Sequence, residues 1–530
     1  MEFWSLESMK SAVGTAGSAA GGSASGPTWL ARPENLGAIE GVSIDSRAVA
    51  PGQVFVAIKG ERHDGHDYLA QAVSAGANML IVSREMNSSA IAALPRQVAI
   101  LRVADTGAAL LRLAGAYRKT LERTKVIAVA GSNGKTTTTR LIDAVLKGAM
   151  RGSASQKSFN NAIGVPLTIL SAKRTDQYLV CEVGTNAPGE IAPLARAIEP
   201  DIAVITSIGR EHLEGLGSLR GVVQEETSLL SGVRPGACAI LNADSPLLVE
   251  TVRPGVFGAN LANIVWFGLS EKADLRVSGV RPTGAGISFA INERHELALP
   301  LLGTHNALNA AAAAGVARRL GLEWDVIARG LATVSPVPMR LERVEAGGVW
   351  FLNDAYNANP ESMLAAFDAF AQACEAMSPK RRVAVLGDML ELGDATGEAH
   401  AEMARALVDR AVPAGGGVRT IADRVVLVGP NMARAREVIE THGITLEMDV
   451  SHVTNLTEAV ATQIAAQLRT GDAVLLKGSR GMGLERVLEA WRTRCAEGPS
   501  IVVTPVKEPS ASTVSPPGSA KGAGRKRGGT

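Results

Sequence analysis

The stretch Lys125-Val-Ile-Ala-Val-Ala-Gly-Ser-Asn-Gly-Lys-Thr-Thr-Thr-Thr139 constrains this chain more than any other. The β-branched run from Val126 to Ala130 predicts a buried strand, Gly131 to Gly134 a tight loop, and Thr136 to about Lys147 a helix. Strand, glycine loop and helix in that order make a phosphate cradle. Gly131 and Gly134 permit positive φ and carry no side chain, so the amides of the loop, with Ser132 and Asn133 between them, can converge on a polyphosphate at a helix N-terminus. Lys135 adds a point charge for the β- and γ-phosphates, and the Thr136 hydroxyl is placed to ligate Mg²⁺, with Thr137 beside it. The general pattern asks for a glycine five residues before Gly134, where this chain has Val129, so the loop is of a shorter type.

At 530 residues the chain exceeds one hydrophobic core and divides into three domains on size alone. With 46% hydrophobic residues, 20% charged residues and a net charge of +2, no global imbalance points to nucleic acid or an anionic membrane, so anion handling must be local. Cys181, Cys238, Cys374 and Cys495 lack metal-ligand spacing, which suits reduced thiols in a reducing compartment. The opening MEFWSLESMK is acidic and has no apolar core of signal-peptide length, and no run reaches the ~18 apolar residues of a membrane span. A cytoplasmic monomer is expected, with no membrane span and no nucleic-acid partner.

Residues 1–27, with a Gly/Ser/Ala-rich run from 11, are expected to be a disordered leader. Residues 28–123 predict a small N-terminal α/β domain, in which strand-like runs at Val54 to Ile58 and Met79 to Val82 flank a helical stretch from Asp67 to Ala75. Its polar clusters place Ser46 and Arg47, and Asp64 and His66, in loops, where they either bind a polar ligand or serve as turn and capping groups.

An amphipathic helix over 105–123 leads to a central domain, 124–335, with a P-loop ATPase-type, mostly parallel sheet. Asn160 and Asn161 precede an apolar run, as ligand contacts or as helix caps. Glu182 ends the strand from Gln177 to Gly184, at the sheet edge where ligands gather and where a carboxylate can hold Mg²⁺. His212 follows the next strand at the same edge. Gln224-Glu225-Glu226 is expected to open a helix, its carboxylates serving a second cation or the helix N-terminus. Asn306 and Asn309 stand on the first turns of an Ala-rich helix, where an amide pairs with a purine edge or caps the helix.

Ser335-Pro-Val-Pro338 reads as a linker into a C-terminal Rossmann-like α/β domain, 336–497, whose strands alternate with helices as in a parallel sheet. Three strands end in polar loops, at 353–360, 387–393 and 477–480, and active-site residues collect at such ends. Residues 498–530, rich in Pro, Ser and Gly with a basic tip, are expected to be a disordered tail.

The loop GSNGKTTTT, the strand end EVGTNAPGEI and the segment HLEGLGSL resemble the central ATPase domain of the Mur ligases of peptidoglycan synthesis. Within that family SFNNAIGVPLTIL, DAYNANPESM, GDMLELG and LKGSR are similar to members that add D-alanyl-D-alanine to UDP-N-acetylmuramoyl-tripeptide. The stretch DSR…PGQVFVAIKGERHDGHDY is shared with the enzyme that adds the third residue, and implies a domain holding the UDP end. No DNPR segment, the mark of diaminopimelate-specific versions of that enzyme, is present.

Carried over by matching position, the resemblance implies that Lys135 and the loop amides hold the phosphates of ATP. Thr136 and Glu182 would take a first Mg²⁺ and His212 a second. Asn306 and Asn309 would face adenine, and Arg340 and Asp354 would bridge the C-terminal domain to the nucleotide. Asn357, Asn359, Lys477 and Ser479 would lie near a closing substrate cleft. Many relatives place a carbamylated lysine where this chain has Glu226. Glu226, or Glu225, is therefore expected to stand in for the carbamate, supplying a carboxylate without CO₂ chemistry.

The implied reaction activates a carboxylate as an acyl phosphate with ATP and captures it with the amine of D-alanyl-D-alanine. Two rivals share parts of this pattern. One is another carboxylate–amine ligase, Mur-type or like a folylpolyglutamate synthase; the other is an ATP-driven switch, which would hydrolyse ATP without an amine and would not need the polar loops of the third domain.

Overall fold

Alternating residues of the strand Lys125–Ala130 face two different cores, and the centre of the molecule is built on that alternation. Val126, Ala128 and Ala130 pack with the helices Thr106–Arg118, Gly164–Ser171 and Ile191–Ile198, whereas Ile127 and Val129 pack with Lys135–Lys147 and Asn306–Arg319. Helices on both faces explain why the central strands are apolar throughout. The structure, a computed structural model, describes residues 3–14, 26–34, 36–156, 158–253, 261–283, 286–410, 412–414, 417–442 and 448–497.

The central sheet has nine strands in the order His295–Leu299, Gly286–Ile291, Leu275–Thr283, Leu261–Gly268, Ala237–Asn242, Ile202–Ile205, Lys125–Ala130, Tyr178–Glu182 and Gly152–Ala154. All neighbours are parallel except the first two pairs, which are antiparallel. The expected mostly parallel sheet is therefore present, with an antiparallel extension that the sequence reading did not anticipate. The phosphate loop leaves the carboxyl end of Lys125–Ala130 between the strands ending at Glu182 and Ile205, so that Glu182 and the segment bearing His212 converge on it.

The N-terminal domain has a five-stranded sheet in the order Thr28–Ala31, Ala99–Arg102, Met79–Val82, Val54–Val56 and Val42–Ser43, antiparallel only at the first pair. The helix Thr106–Arg118 ties it to the central domain. The Tyr117 hydroxyl donates to the Ala172 carbonyl at 2.7 Å, and the buried Arg118 donates to the Ile198 carbonyl at 2.7 Å and to Asp201 at 3.0 Å. The C-terminal domain has six strands in the order Glu342–Ala346, Val349–Asp354, Asp472–Lys477, Arg381–Gly387, Arg424–Val428 and Asp449–Val453, again antiparallel only at the first pair.

Two expectations are corrected. Within the supposed disordered leader, Leu6–Gly14 is a helix that buries Met9 and Val13. The Phe3 ring lies 5.0 Å from that of Tyr117, and Arg112 donates to the Val13 carbonyl at 2.8 Å. The apolar residues Phe3, Trp4, Met9 and Val13 offset the entropy of ordering that the Gly/Ser run cannot. The rest of the leader from 15 to 25, and the tail 498–530, lie outside the described residues. Gln224-Glu225-Glu226 does not open a helix but ends the helix Leu219–Thr227, because Ser218 caps it by accepting from the Gly221 amide at 3.2 Å. Among the described residues no helix is long and apolar enough to cross a membrane.

Candidate active site

Two glycines shape the phosphate loop. Gly131 has φ +117° and Gly134 φ +89°; a Cβ on Gly131 would lie 2.4 Å from Thr206 Oγ1, and one on Gly134 would lie 2.3 Å from Asn309 Oδ1. The first three amides of the loop are already engaged: Gly131 donates to Glu226 Oε2 at 2.6 Å, Ser132 to the Ser207 carbonyl at 2.8 Å and Asn133 to Ser207 Oγ at 2.9 Å. The amides of Gly134 to Thr137, opening the helix Lys135–Lys147, have no acceptor among the described residues. The donors for an anion therefore sit slightly later in the chain than the loop glycines alone suggest.

Lys135 folds over the loop. Its ammonium donates to the carbonyls of Gly131 and Ser132 at 2.6 and 3.2 Å and lies 3.6 Å from Glu211. Burial works against the ammonium, but Glu211, Glu226 and Glu182 together outweigh it and hold its pKa above the ordinary lysine value. Burial likewise pushes the Glu211 carboxyl up to about 8 against the pull of Lys135, and Glu226 is raised for the same reason. Beside the lysine, Thr136 Oγ1 donates to Glu182 Oε1 at 3.0 Å, and Asn160 Nδ2 donates to that oxygen at 2.9 Å. Glu182 Oε2 is buried without a partner.

A cavity of about 830 Å³ opens over this loop, with walls from both the central and the C-terminal domain. Ser132, Asn133, Gly134, Lys135, Thr137, Asn160, Asn161, Glu182, His212, Asn306, Asn309, Arg340, Asp354, Asn357, Asn359 and Lys477 all line it, so most of the predicted site is brought together. Thr136 and Glu226 lie just behind the wall, joined to it through Glu182 and Gly131. Asn309 Oδ1 accepts from Thr138, and its amide donates to Asn306, whose own amide donates to the Leu302 carbonyl. Asn309 thus sits against the loop glycine.

On the opposite wall, Arg340 lies 4.2 Å from the centroid of the Tyr356 ring, and the buried Lys477 bonds Asp354 at 2.8 Å and the Asn357 carbonyl at 2.7 Å. Ser479 Oγ accepts from the Leu390 amide at 2.9 Å, steadying the 387–393 loop. Asn161 Oδ1 accepts from the Ile163 and Gly164 amides at 3.1 and 2.9 Å, in the turn that leads into the helix Gly164–Ser171.

The N-terminal candidates lie outside this cavity. Asp64 caps the short helix Gly65–Tyr68 and bonds His66 Nδ1 at 2.6 Å and Arg84 at 2.7 Å, while His66 Nε2 accepts from the Ser83 amide. The capping alternative accounts for both. Ser46 donates to Gln71, and Arg47 chelates Asp45 while its side chain stays 80% exposed.

Sequence reasoning missed the residues that join the two domains. Arg210 donates to Glu361 at 2.8 Å and to Glu402 at 2.6 and 3.0 Å, and His212 Nδ1 bonds Glu391. It also missed Glu211, which lines the cavity. Nothing in periodicity marks these residues; for Arg210 and Glu211 the only signal is their place beside His212 at the sheet edge. Glu225, the alternative to Glu226, is used elsewhere: it accepts from the Gly189 and Ile191 amides at 2.7 Å each, capping the helix Ile191–Ile198.

Three family models match in register with these three domains: Mur ligase family, catalytic domain, over 38–118; Mur ligase middle domain, over 129–317; and Mur ligase, glutamate ligase domain, over 339–480. A UDP-N-acetylmuramoyl-tripeptide–D-alanyl-D-alanine ligase of Bacillus subtilis is 35% identical over 454 residues, covering 85% of this chain and 93% of the relative. The chain belongs to the Mur ligase family. The Escherichia coli ligase of the same name is 33% identical, with 85% and 93% covered. Among solved structures, MurF from Acinetobacter baumannii superposes with a TM-score of 0.72 at 29% identity, covering 85% of this chain and 93% of that one. MurF ligase from Thermotoga maritima, in complex with ADP, gives 0.70 at 28% identity, with 86% and 98% covered.

This Mur ligase is ATP-dependent, and its loop has the donors that a nucleotide requires. Among the described residues no three His, Cys, Asp or Glu side chains are grouped closely enough to hold a metal by themselves. The Thr136 hydroxyl and the unpartnered Glu182 oxygen nevertheless fit the hard oxygen chemistry of Mg²⁺, which is commonly held by one or two protein groups and completed by phosphates.

Proposed function

We propose that this Mur ligase joins D-alanyl-D-alanine to the terminal carboxylate of UDP-N-acetylmuramoyl-tripeptide, with ADP and phosphate as the other products. One observation carries the reading: a single cavity has the phosphate loop on one wall and, on the other, polar strand-end residues of the C-terminal domain, Asp354, Asn357 and Asn359 from one loop and Lys477 from another. A switch that only hydrolyses ATP has no need of the second wall.

A carboxylate is unreactive toward amines in water, so it must first be given a better leaving group. The carboxylate attacks the γ-phosphorus of ATP in line, and the acyl phosphate so formed is taken by the amine of D-alanyl-D-alanine. Lys135 and the amides of Gly134 to Thr137 offset phosphate charge as the transfer proceeds. Mg²⁺, held by Thr136 and Glu182 and, at a second position, by His212 and Glu226, would supply further charge neutralisation when bound. Glu226 provides its carboxylate without carbamylation. Arg210, Glu361, Glu402 and the His212–Glu391 pair hold the two walls together, which keeps water from the acyl phosphate. Asn306, Asn309 and Arg340 are assigned to the nucleotide. Asn160, Asn357, Asn359 and Lys477 are assigned to the substrates, and Arg47 to the UDP end. The setting is the cytoplasm.

The test is ADP release by the purified chain with ATP, Mg²⁺ and UDP-N-acetylmuramoyl-tripeptide. Release that depends on D-alanyl-D-alanine, and that L-lysine, diaminopimelate or glutamate does not replace, is the expected result. Equal release without any amine contradicts it.

A further inference from the structure

A second groove, of about 660 Å³, lies between the helix Lys135–Lys147, the helix Trp324–Ala332 and the linker into the C-terminal domain. Among the described residues it shares no lining residue with the nucleotide cavity. Arg140, Lys147 and Arg329 line it, and all three are exposed. Among the described residues none of these cations has a side-chain hydrogen bond or an ion pair. Asp143 is the one acid in the lining, and it is already engaged, accepting from the Tyr178 hydroxyl at 2.8 Å.

The two helices hold the groove in shape. They meet backbone to backbone at Gly330, where a Cβ would lie 2.5 Å from Val145 Cα. Arg140 and Lys147 stand seven residues apart, so they share one face of their helix at a spacing of about 10 Å along the axis. Lys147 is also about 16 Å along that axis from Thr136, well away from the phosphate loop. The rest of the lining is largely apolar, with Ala144, Val326, Val334, Val337 and the two linker prolines. Cations of one sign over an apolar wall concentrate anions, and the wall favours an anion with an apolar body over a simple ion.

The linker separates this groove from the nucleotide cavity. A void of about 10 Å³ lies between them, sharing Arg140, Val334 and Val337 with the groove and Thr137, Asn306 and Arg340 with the cavity.

We propose that the groove is a second ligand site, for an organic phosphate monoester with an apolar body. Arg140, Lys147 and Arg329 hold the dianion, the guanidinium forks matching phosphate oxygens and the lysine adding a point charge. Val326, Val334 and Val337 take the apolar body. The volume falls within the roughly 300–1,000 Å³ of small-molecule sites. A ligand seated there touches both the helix that starts at the phosphate loop and the linker that leads to Arg340. It therefore bears on the joint between the two domains from outside the nucleotide cavity.

The experiment titrates 1-naphthyl phosphate into the full-length chain by calorimetry, at physiological ionic strength. Mg²⁺ and a non-hydrolysable ATP analogue are present at saturation, so that the phosphate loop is filled. One naphthyl phosphate should bind per chain, at least five-fold more tightly than inorganic phosphate. Lys147→Glu and Arg329→Glu should each weaken it at least five-fold while the affinity for the ATP analogue changes less than two-fold. Arg329→Ala and Lys147→Ala replace a glutamate variant that does not melt cooperatively, with the same criterion. Absence of saturable binding, a smaller effect in either variant, or inorganic phosphate binding as well as the ester would show a solvated basic face and overturn the proposal. Naphthyl phosphate that competes with the ATP analogue would place it in the nucleotide cavity and overturn the proposal equally.

Discussion

Asn359, on the C-terminal domain, donates through Nδ2 to Oδ1 of Asn133 in the phosphate loop at 3.0 Å. The same side chain caps the helix Pro360–Met377, accepting from the Ser362 amide at 2.9 Å while the Asn359 amide donates to Ser362 Oγ at 3.0 Å. One residue thus starts a helix of one domain and touches the nucleotide loop of another.

These two roles separate by mutation. Asn359→Asp keeps the acceptor that caps the helix but loses the donor to Asn133, so unfolding in urea should change little while KM for ATP rises several-fold. Asn359→Ala loses both, and should also lower stability by about 1 kcal/mol. Equal stability loss in the two variants would show that the cap is not carried by the carbonyl oxygen.

Arg210 holds the two domains together through Glu361 and Glu402, and the bond to Glu402 first, then that to Glu361, raises its pKa further above the arginine range. Because these groups are about a third exposed, the network should contribute only about 1 kcal/mol to closure, or roughly five-fold in the ratio of closed to open forms. Arg210→Ala should enlarge the radius of gyration in solution scattering and raise KM for the amine, and Arg210→Glu should do so more strongly. Unchanged scattering in both would remove the latch from the account.

The helix Leu6–Gly14 is part of the folded unit. Met9 is 0% exposed, so Met9→Ala should lower unfolding stability by about 2 kcal/mol, toward the low end for a buried methionine because it lies near a chain terminus. No change in the urea midpoint would return this segment to the disordered leader that composition suggested.

His400 is fully buried in the C-terminal domain, with Nε2 accepting from the Met389 amide at 3.1 Å and Nδ1 bonded to the Thr396 carbonyl. Burial lowers its pKa below the ordinary 6.5, against the opposing effects of Thr396 and Asp388. Between the lowered folded value and 6.5 the unfolded chain binds a proton that the folded chain does not, so stability falls as pH drops below 6.5. Thermal melts of the wild type from pH 7.5 to 5 should show this decline, and His400→Gln should flatten it. A decline of equal slope in both would place its origin elsewhere.

Local pattern made much of this molecule legible. The strand, glycine loop and helix around Lys135 are short-range features, and so are the four parallel strands of the third domain that alternate with helices. The place of Glu182 at the cavity edge was legible because it ends a strand of such a sheet. The latch was not, since Arg210 meets Glu361 and Glu402 across 151 and 192 residues and no local periodicity records such a pairing. Glu225 and Glu226 look alike in sequence, yet adjacent helix positions point them to different places, one capping a neighbouring helix and the other holding Gly131. The N-terminal helix was overlooked because its four apolar anchors stand beside a long Gly/Ser run that dominates the composition.

The central claim is that the terminal phosphoryl group passes to a carboxylate and not to water. UDP-N-acetylmuramoyl-tripeptide labelled with ¹⁸O in its terminal carboxylate, turned over with ATP and D-alanyl-D-alanine in ordinary water, tests it directly by mass analysis of the phosphate released. One ¹⁸O atom should appear in each phosphate, carried across when the acyl phosphate is opened by the amine. Phosphate that contains no label from the carboxylate, and that takes its new oxygen from ¹⁸O-water in the converse experiment, would contradict the account.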